Sequence, residues 1–367
     1  VKHSAGLSFI GTFSLTLLAI AGLFTGDTFL AAVDRKESDV EAARLFSEGQ
    51  VLISKGDNAK AIDRLNDAIA IERGNRVYLR TLAEAQLATG KTADAEKTAD
   101  DLLDSEPTDG EASLLMARAL TKEGRYPDAI SYFHRAVYGR WDQDEEGNRR
   151  RARAELIDLL ARRNSKEELL AELLAVQAAP QDNKARLQLG ELFLQAGSPA
   201  RALDVFRNVL RSEPENAAAY QGLGDAEFSQ GNYRLAQRHL QTAMRLAPDD
   251  ATIRRRLEVC NQLLELDPML RGLPAGERYS RSLKLVDLTL GEVNQCQAQV
   301  PPADLQPLVD RANAALKARI NEAHQGDASE ANLDIAEQLW QVRKKEECSA
   351  PADPNRPLAL VLARLTQ

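Results

Sequence analysis

A stride of 34 residues governs most of this chain. Gly56, Gly90 and Gly124 stand 34 apart, and so do Gly197 and Gly231. Five residues after each glycine comes an alanine: Ala61, Ala95, Ala129, Ala202 and Ala236. Seven residues further on sits Ala68, Leu102, Ala136, Val209 or Ala243. Pro107, Pro180, Pro214 and Pro248 close the unit, the last three again 34 apart. Self-similarity at a fixed period marks stacked supersecondary units that share one continuous core.

The frame gives windows 42–75, 76–109, 110–143, 149–182, 183–216 and 217–250. Five residues, Asp144 to Asn148, are inserted after the third window, and a half-degenerate seventh unit starts at Ala251. Each recurring residue type has a physical reason. A glycine between two helices takes the left-handed conformation that ends the first. Small residues at positions eight and twenty let the two helices approach closely. Apolar residues at i, i+3, i+4 and i+7 form the stripes to be buried. The terminal proline stops the second helix by removing a donor. One such pair cannot shield its own apolar face, so the pairs must stack.

In the best windows the early positions match as well: Leu189-Gly190 with Phe193, and Tyr220 with Leu223-Gly224. The pattern resembles the tetratricopeptide-repeat (TPR) family, whose signature runs W-x2-L-G-x2-Y, A-x3-F, P. It covers about residues 42–265. The resemblance implies an all-α fold, a right-handed α-α superhelix over residues 42–266, whose concave groove takes a protein or peptide partner. Departures are visible. Window 149–182 has Arg163-Asn164 where the turn glycine belongs, and Arg73 and Trp141 replace the terminal proline in two other windows.

In the family the groove is lined by first-helix positions two, five and nine. Carried over, these are Val77, Arg80 and Glu84; Glu111, Leu114 and Arg118; Lys184, Leu187 and Glu191; and Ala218, Gln221 and Asp225. The Lys/Asn clamp that some members close on a peptide C-terminus is missing from the matching positions. A mixed-charge groove suits an extended or helical peptide.

Gly6 to Phe24 is a run of nineteen residues without a charge, preceded by Lys2 and His3. It is apolar on every face and nearly long enough to cross a hydrocarbon core of roughly 30 Å. It exceeds the usual apolar stretch of a cleaved signal, about 7–15 residues. Ala19-Ile20-Ala21 nevertheless offers a small-x-small cleavage pattern inside the run. Residues 1–33 therefore read as a signal anchor or a signal peptide, and 34–41 as a linker. Lys2 fits the start of an export signal, whereas Arg35, Lys36 and Arg44 oppose an inside N-terminus. The expectation is a body outside the cytoplasmic membrane, tethered by this helix, or secreted if the signal is cleaved.

Beyond the repeats, Asp267-Pro268 and Gly272-Leu273-Pro274 break the pattern, so 267–275 reads as a second linker. Residues 276–350 carry three helical stretches. The first, about Glu277 to Gln297, has Tyr279, Leu283, Val286, Leu290 and Val293 in a heptad-like, coiled-coil-like stripe. The second follows Pro301-Pro302 with Leu305, Leu308, Ala312, Leu316 and Ile320. The third starts near Asp327, a candidate cap with Glu330 three residues on, and carries Ile335, Leu339 and Val342. Pro351, Pro354 and Pro357 open a tail, 351–367, whose Leu358–Leu365 stretch is apolar. Short connections make consecutive helices antiparallel, so the first and third run the same way. Cys296 and Cys348 then sit at one end of the bundle, where an extracytoplasmic chain can form a disulfide. Cys260 reads as a small buried hydrophobe.

The three cysteines and four histidines are scattered, without C-x-x-C or H-E-x-x-H, and no metal or cofactor is expected. Gly90-Lys91-Thr92 lacks the earlier glycine of a phosphate loop, and Gly222-Leu223-Gly224 lacks the third glycine of a dinucleotide site. Both are already explained as repeat positions. A net charge of −8 repels phosphate backbones and speaks against nucleic acid. Arg149, Arg150, Arg151 and Arg153, with Arg254, Arg255 and Arg256, read as solvated faces, the first balanced by Asp142, Asp144, Glu145 and Glu146. The sharper alternative is an acidic, anionic-lipid or phosphorylated ligand. The expectation is a non-enzymatic scaffold for protein–protein interaction at the cell envelope. The alternative is an accessory subunit of a polysaccharide or lipid export system. With aromatics at 5%, a sugar-stacking groove is the weaker of the two.

Overall fold

A computed structural model of the protein describes residues 35–178, 182–296, 305–345 and 356–365. The apolar run 6–24, Pro180 and Cys348 lie outside the described residues. Among the described residues every named element is a helix, joined by turns and short connections, and one isolated β-bridge links Asp109 and Arg140. Among the described residues no helix is long and apolar enough to cross a membrane. The chain divides into two compact units between Arg162 and Arg163.

The first unit holds α1 (35–54), α2 (Asn58–Ile71), α3 (Arg76–Ala88), α4 (Thr92–Ser105), α5 (Gly110–Glu123), α6 (Tyr126–Tyr138) and α7 (Glu145–Arg163). The second holds α8 (Lys166–Val176), α9 (Asn183–Gln195), α10 (Pro199–Ser212), α11 (Ala217–Ser229), α12 (Tyr233–Leu246) and α13 (Ala251–Leu266). It continues with α14 (Ala275–Gln295), α15 (Leu305–Lys317), α16 (Gln325–Lys345) and α17 (Pro357–Leu365). α3, α5, α9, α11 and α13 each begin on the first residue of a sequence window.

The repeated residues do what their chemistry demands. Gly56, Gly90, Gly124, Gly197 and Gly231 all sit at φ between +72° and +80°. Asn164, which replaces the missing glycine, adopts φ +55°, a region that asparagine tolerates better than most residues. The alanines at position twenty and the small or apolar residues seven further on are fully buried in every window where the turn glycine stands. α4, α10 and α12 stop two residues before Pro107, Pro214 and Pro248.

A further periodic feature emerges at the last position of the window. Asn75, Asp109, Asp182, Asn216 and Asp250 each accept a hydrogen bond from a backbone N–H of the following helix. An acceptor there satisfies donors that the helix leaves unpaired, worth about 1 kcal/mol each. α1 begins by residue 35, so most of the expected linker 34–41 is helical. α7 begins at Glu145, so most of the Asp144–Asn148 insert is absorbed into its first turn.

In the second unit, Phe206 of α10 wedges between α9 and α11 over Gly190 and Gly222. A Cβ at Gly190 would lie 2.6 Å from the ring, and one at Gly222 closer still, so both helices depend on the missing side chain.

α14 and α16 run parallel, as alternating short connections require. Gly276 lies near Gln325, the Asn332 side-chain amide donates to Ser282 Oγ at 3.0 Å, and Arg343 faces Glu292 at 3.6 Å. Val286, Leu290 and Val293 are buried as the stripe predicted, but Leu285 is buried and Leu283 only half-buried. α16 starts at Gln325 after a 3-10 turn, Glu322–His324, so Asp327 lies in the first helical turn instead of capping it. α15 ends at Lys317, leaving Ile320 beyond it. α17 packs against α13, α14 and α16, burying Leu358, Ala359, Val361 and Leu362 in a core shared with Leu263, Leu285 and Leu339. Cys296 caps the end of α14 and is disulfide-bonded. Cys260 is free and buried, its thiol pushed up to about 11 by burial.

Candidate functional site

The concave site of the first unit is built by α3, α5 and the return of the chain from α6 into α7. Gly139 passes so close to the start of α5 that a Cβ there would lie 2.9 Å from the Gly110 Cα. Two backbone hydrogen bonds, Gly110 N–H to Arg140 O and Arg140 N–H to Thr108 O, both 2.8 Å, clamp this crossing. The crossing lays Trp141 over Gly110, its indole N–H donating to Ala136 O at 2.9 Å. Asp142 is thereby carried to the groove.

A cavity of about 410 Å³ results. Its lining includes Val77, Arg80 and Glu84 from α3, Glu111, Leu114 and Arg118 from α5, and Trp141. All six positions carried over for this unit therefore meet at one cavity. A neighbouring cavity of about 530 Å³ shares Glu84 and Arg118 and continues along Leu87, Phe133 and Leu159. Trp141 and Phe133 are buried.

Charge in the first cavity is tightly coupled. Arg80 reaches three carboxylates: Asp109 at 3.0 Å, Glu111 at 3.0 Å and Asp142 at 2.9 Å. Asp109, only 2% exposed, also takes Arg76 and caps α5 through the N–H groups of Glu111 and Ala112. The Arg80 guanidinium holds the Asp142 carboxyl below its usual range. Burial pushes the Glu111 carboxyl up; Arg80 opposes the rise, while Glu84, Asp109 and Asp142 add to it. Arg118 makes a two-pronged pair with Glu155 of α7, at 2.9 and 2.6 Å. Glu84 is exposed and makes no ion pair among the described residues.

In the second unit the remaining expected residues are placed less conspicuously. On α9, Lys184 and Glu191 are exposed and Leu187 is half-buried. On α11, Gln221 and Asp225 are half-buried, and Asp225 pairs with Arg256 of α13 at 2.7 Å. Burial raises the Asp225 carboxyl, with Arg256 and Gln221 pulling the other way.

The windows of 34 residues, their left-handed turn residues and the paired helices are matched by three family models described as tetratricopeptide repeat. One matches 52–119 and 193–257, another 141–217, and a third 112–146. The chain belongs to the tetratricopeptide-repeat family. The TPR chain is 27% identical over 131 residues to a DnaJ homolog subfamily C member 3 homolog from Dictyostelium discoideum, which covers 35% of this chain and 26% of that protein. It is 24% identical over 224 residues to a protein C named for the cellulose synthase operon in Escherichia coli O157:H7, covering 60% of this chain and 19% of the relative. The chain thus spans about a quarter or less of the length of these relatives. Among solved structures, the TPR protein YrrB, described as having an unusual peptide-binding site, aligns with a TM-score of 0.42 at 20% identity, covering 53% of this chain and 97% of YrrB.

Asp109, Trp141, Asp142 and Glu155 were not among the residues expected at the site. Asp109 carried a signal, since its 34-residue recurrence as Asn or Asp marks a cap. Asp142 read as a counter-ion to the arginines of α7. Instead it serves Arg80, while Arg149 pairs with Glu145 at 2.5 Å. Arg153 lies over the Tyr138 ring and Arg151 donates to Asn148. Arg254 donates to Pro248 O.

Proposed function

We propose that this TPR protein is a non-enzymatic scaffold whose first-unit groove holds a segment of a partner protein. The observation that carries the reading is the meeting of Val77, Arg80, Glu84, Glu111, Leu114 and Arg118 around one cavity, which shares Glu84 and Arg118 with a neighbouring one. Such a trough, apolar at the base and charged at the rim, accepts an extended or helical peptide. The groove is tested by filling it from its edge. Val77, 54% exposed, and Thr81 line the first cavity, and a Val77→Trp, Thr81→Phe chain should keep its melting temperature. The partner that full-length wild type captures from membrane extract should fall by roughly tenfold on this variant, a loss of about 1.4 kcal/mol. Equal capture by both chains removes the groove from consideration.

The envelope setting is part of the same proposal. Its supports are the uncharged run Gly6–Phe24, which suits a signal anchor or signal peptide, and the disulfide at Cys296. Such bonds persist in oxidising compartments. Cys348 is the proposed partner of Cys296, because Cys260 is free and the parallel run of α14 and α16 brings their C-terminal halves together. A non-reduced peptide map of the full chain should show the Cys296 and Cys348 peptides linked and Cys260 alkylatable only after denaturation. Two separate alkylated peptides under native, non-reducing conditions would contradict the pairing.

A second reading, an accessory subunit of a polysaccharide export system, is supported by the similarity over 224 residues to the cellulose synthase operon relative. It needs no sugar in this groove, whose aromatic rings are buried. Direct saturable binding of a glucan oligosaccharide would favour it over a purely protein-binding role.

A further inference from the structure

The first cavity has a charge pattern that says what part of a peptide it takes. This inference rests on the groove reading of the preceding section and adds the chemistry of the occupant. Arg80 spends both terminal nitrogens on carboxylates, lying within 3.0 Å of Asp109, Glu111 and Asp142, and only its buried Nε lacks a partner. Arg118 is committed too, in a two-pronged pair with Glu155. The charge of each guanidinium is thus already met by carboxylates of this chain. The carboxylates are in the opposite position. Glu111 shares Arg80 with two rivals, and its carboxyl remains pushed up by burial and by Glu84, Asp109 and Asp142 despite the arginine beside it. Glu84, one helix away on the same cavity, has no ion pair among the described residues. Arg151 is the remaining lining cation, and its guanidinium donates to Asn148 Oδ1 at 2.7 Å on the side contributed by α7.

The rest of the lining is apolar where a side-chain stem would lie. Leu114 and Leu115 are nearly fully buried beneath the cavity, and Val77 stands exposed at its rim. A lysine or arginine has this form, an aliphatic stem carrying a cation at its end. With the stem along Val77 and Leu114, its head group would give Glu84 a direct ion pair and Glu111 a second cation besides the Arg80 it shares with Asp109 and Asp142. An acidic side chain would add a further negative charge to a partly desolvated cluster where charges interact strongly. An apolar one would leave Glu111 as it is and gain only contact area.

We propose that the cavity between α3 and α5 is a pocket for a basic side chain of the bound peptide, received by Glu84 and Glu111. The occupant is thus a protein segment with a lysine or arginine next to apolar residues.

The test is selection of a random peptide library displayed on phage against the full chain held in detergent. The same selection is run on Glu84→Gln with Glu111→Gln, and on the filled-groove variant Val77→Trp with Thr81→Phe. Circular dichroism confirms that all three are folded; Glu84→Gln alone, at an exposed position, backs up the double variant. Expected peptides carry a lysine or arginine beside apolar residues, and lose roughly tenfold or more in affinity on the glutamine variant, as a charge-assisted contact should. Replacing the peptide's basic residue by norleucine should cost wild type a similar factor and the glutamine variant little. Enriched peptides without a basic residue, or basic ones that bind the glutamine variant equally well, overturn the basic pocket and leave the groove standing. Enrichment on wild type no greater than on the filled-groove variant overturns both.

Discussion

Phe206→Ala is expected to destabilise the second unit by about 3–5 kcal/mol, the range for removing a buried aromatic ring. The ring is 1% exposed and fills the space above two glycines on the flanking helices. No side chain on α9 or α11 can grow into the void, because Gly190 and Gly222 have none. Gly222→Ala is expected to cost about 1–3 kcal/mol in the native sequence, since its methyl would meet the ring at 2.5 Å or less. In the Phe206→Ala background that cost should vanish or change sign, the methyl now occupying part of the cavity. Urea unfolding of the four chains measures the coupling. Costs that simply add would mean that α9, α10 and α11 are not held apart by this ring.

Arg364→Met is expected to cost about 2 kcal/mol, the second large effect. Asp267 is 0% exposed, with Oδ1 accepting from Met269 N–H at 2.8 Å and Oδ2 from Arg364 at 2.5 Å. Removing one partner of a buried pair typically costs 3–5 kcal/mol because the other charge stays buried. Arg364 is 36% exposed, so water screens part of that cost and the lower figure applies. Adding Asp267→Asn removes the stranded charge and should recover about 1 kcal/mol, or roughly half of the loss. Limited proteolysis gives an independent reading, with cleavage at α17 accelerated in the single variant and slowed again in the double. A single variant as resistant as wild type would show that apolar contacts alone seat α17.

Much of this architecture was readable from residue spacing because the repeat repeats its physics. Gly90 and Gly231 need the same left-handed turn, and Ala95 and Ala236 the same close helix approach. The start of α9 at Asn183 followed from the same frame. The site was readable only in part. Val77, Arg80, Glu84, Glu111, Leu114 and Arg118 converge because first-helix positions inherit their direction from the frame. Asp142 and Trp141 escaped because their placement depends on the Gly139–Gly110 crossing, a contact between backbones that leaves no periodic trace. Asp225 matched the frame but is tied to Arg256, a partner in the next helix that spacing alone does not reveal. The C-terminal helices resisted for another reason. Their burial follows neighbours, so Leu285 goes inward although the heptad-like stripe named Leu283.

The bond between residues 267 and 364 also bears on how the molecule assembles. Its two ends are 97 residues apart in sequence, whereas a repeat helix touches neighbours a few tens of residues away. Closing a long loop costs chain entropy before any contact repays it, so the nearer contacts form on the faster clock. The repeats of the second unit are therefore expected to zip from pair to pair before the seam at Asp267 closes, with the return of one short helix over it coming late.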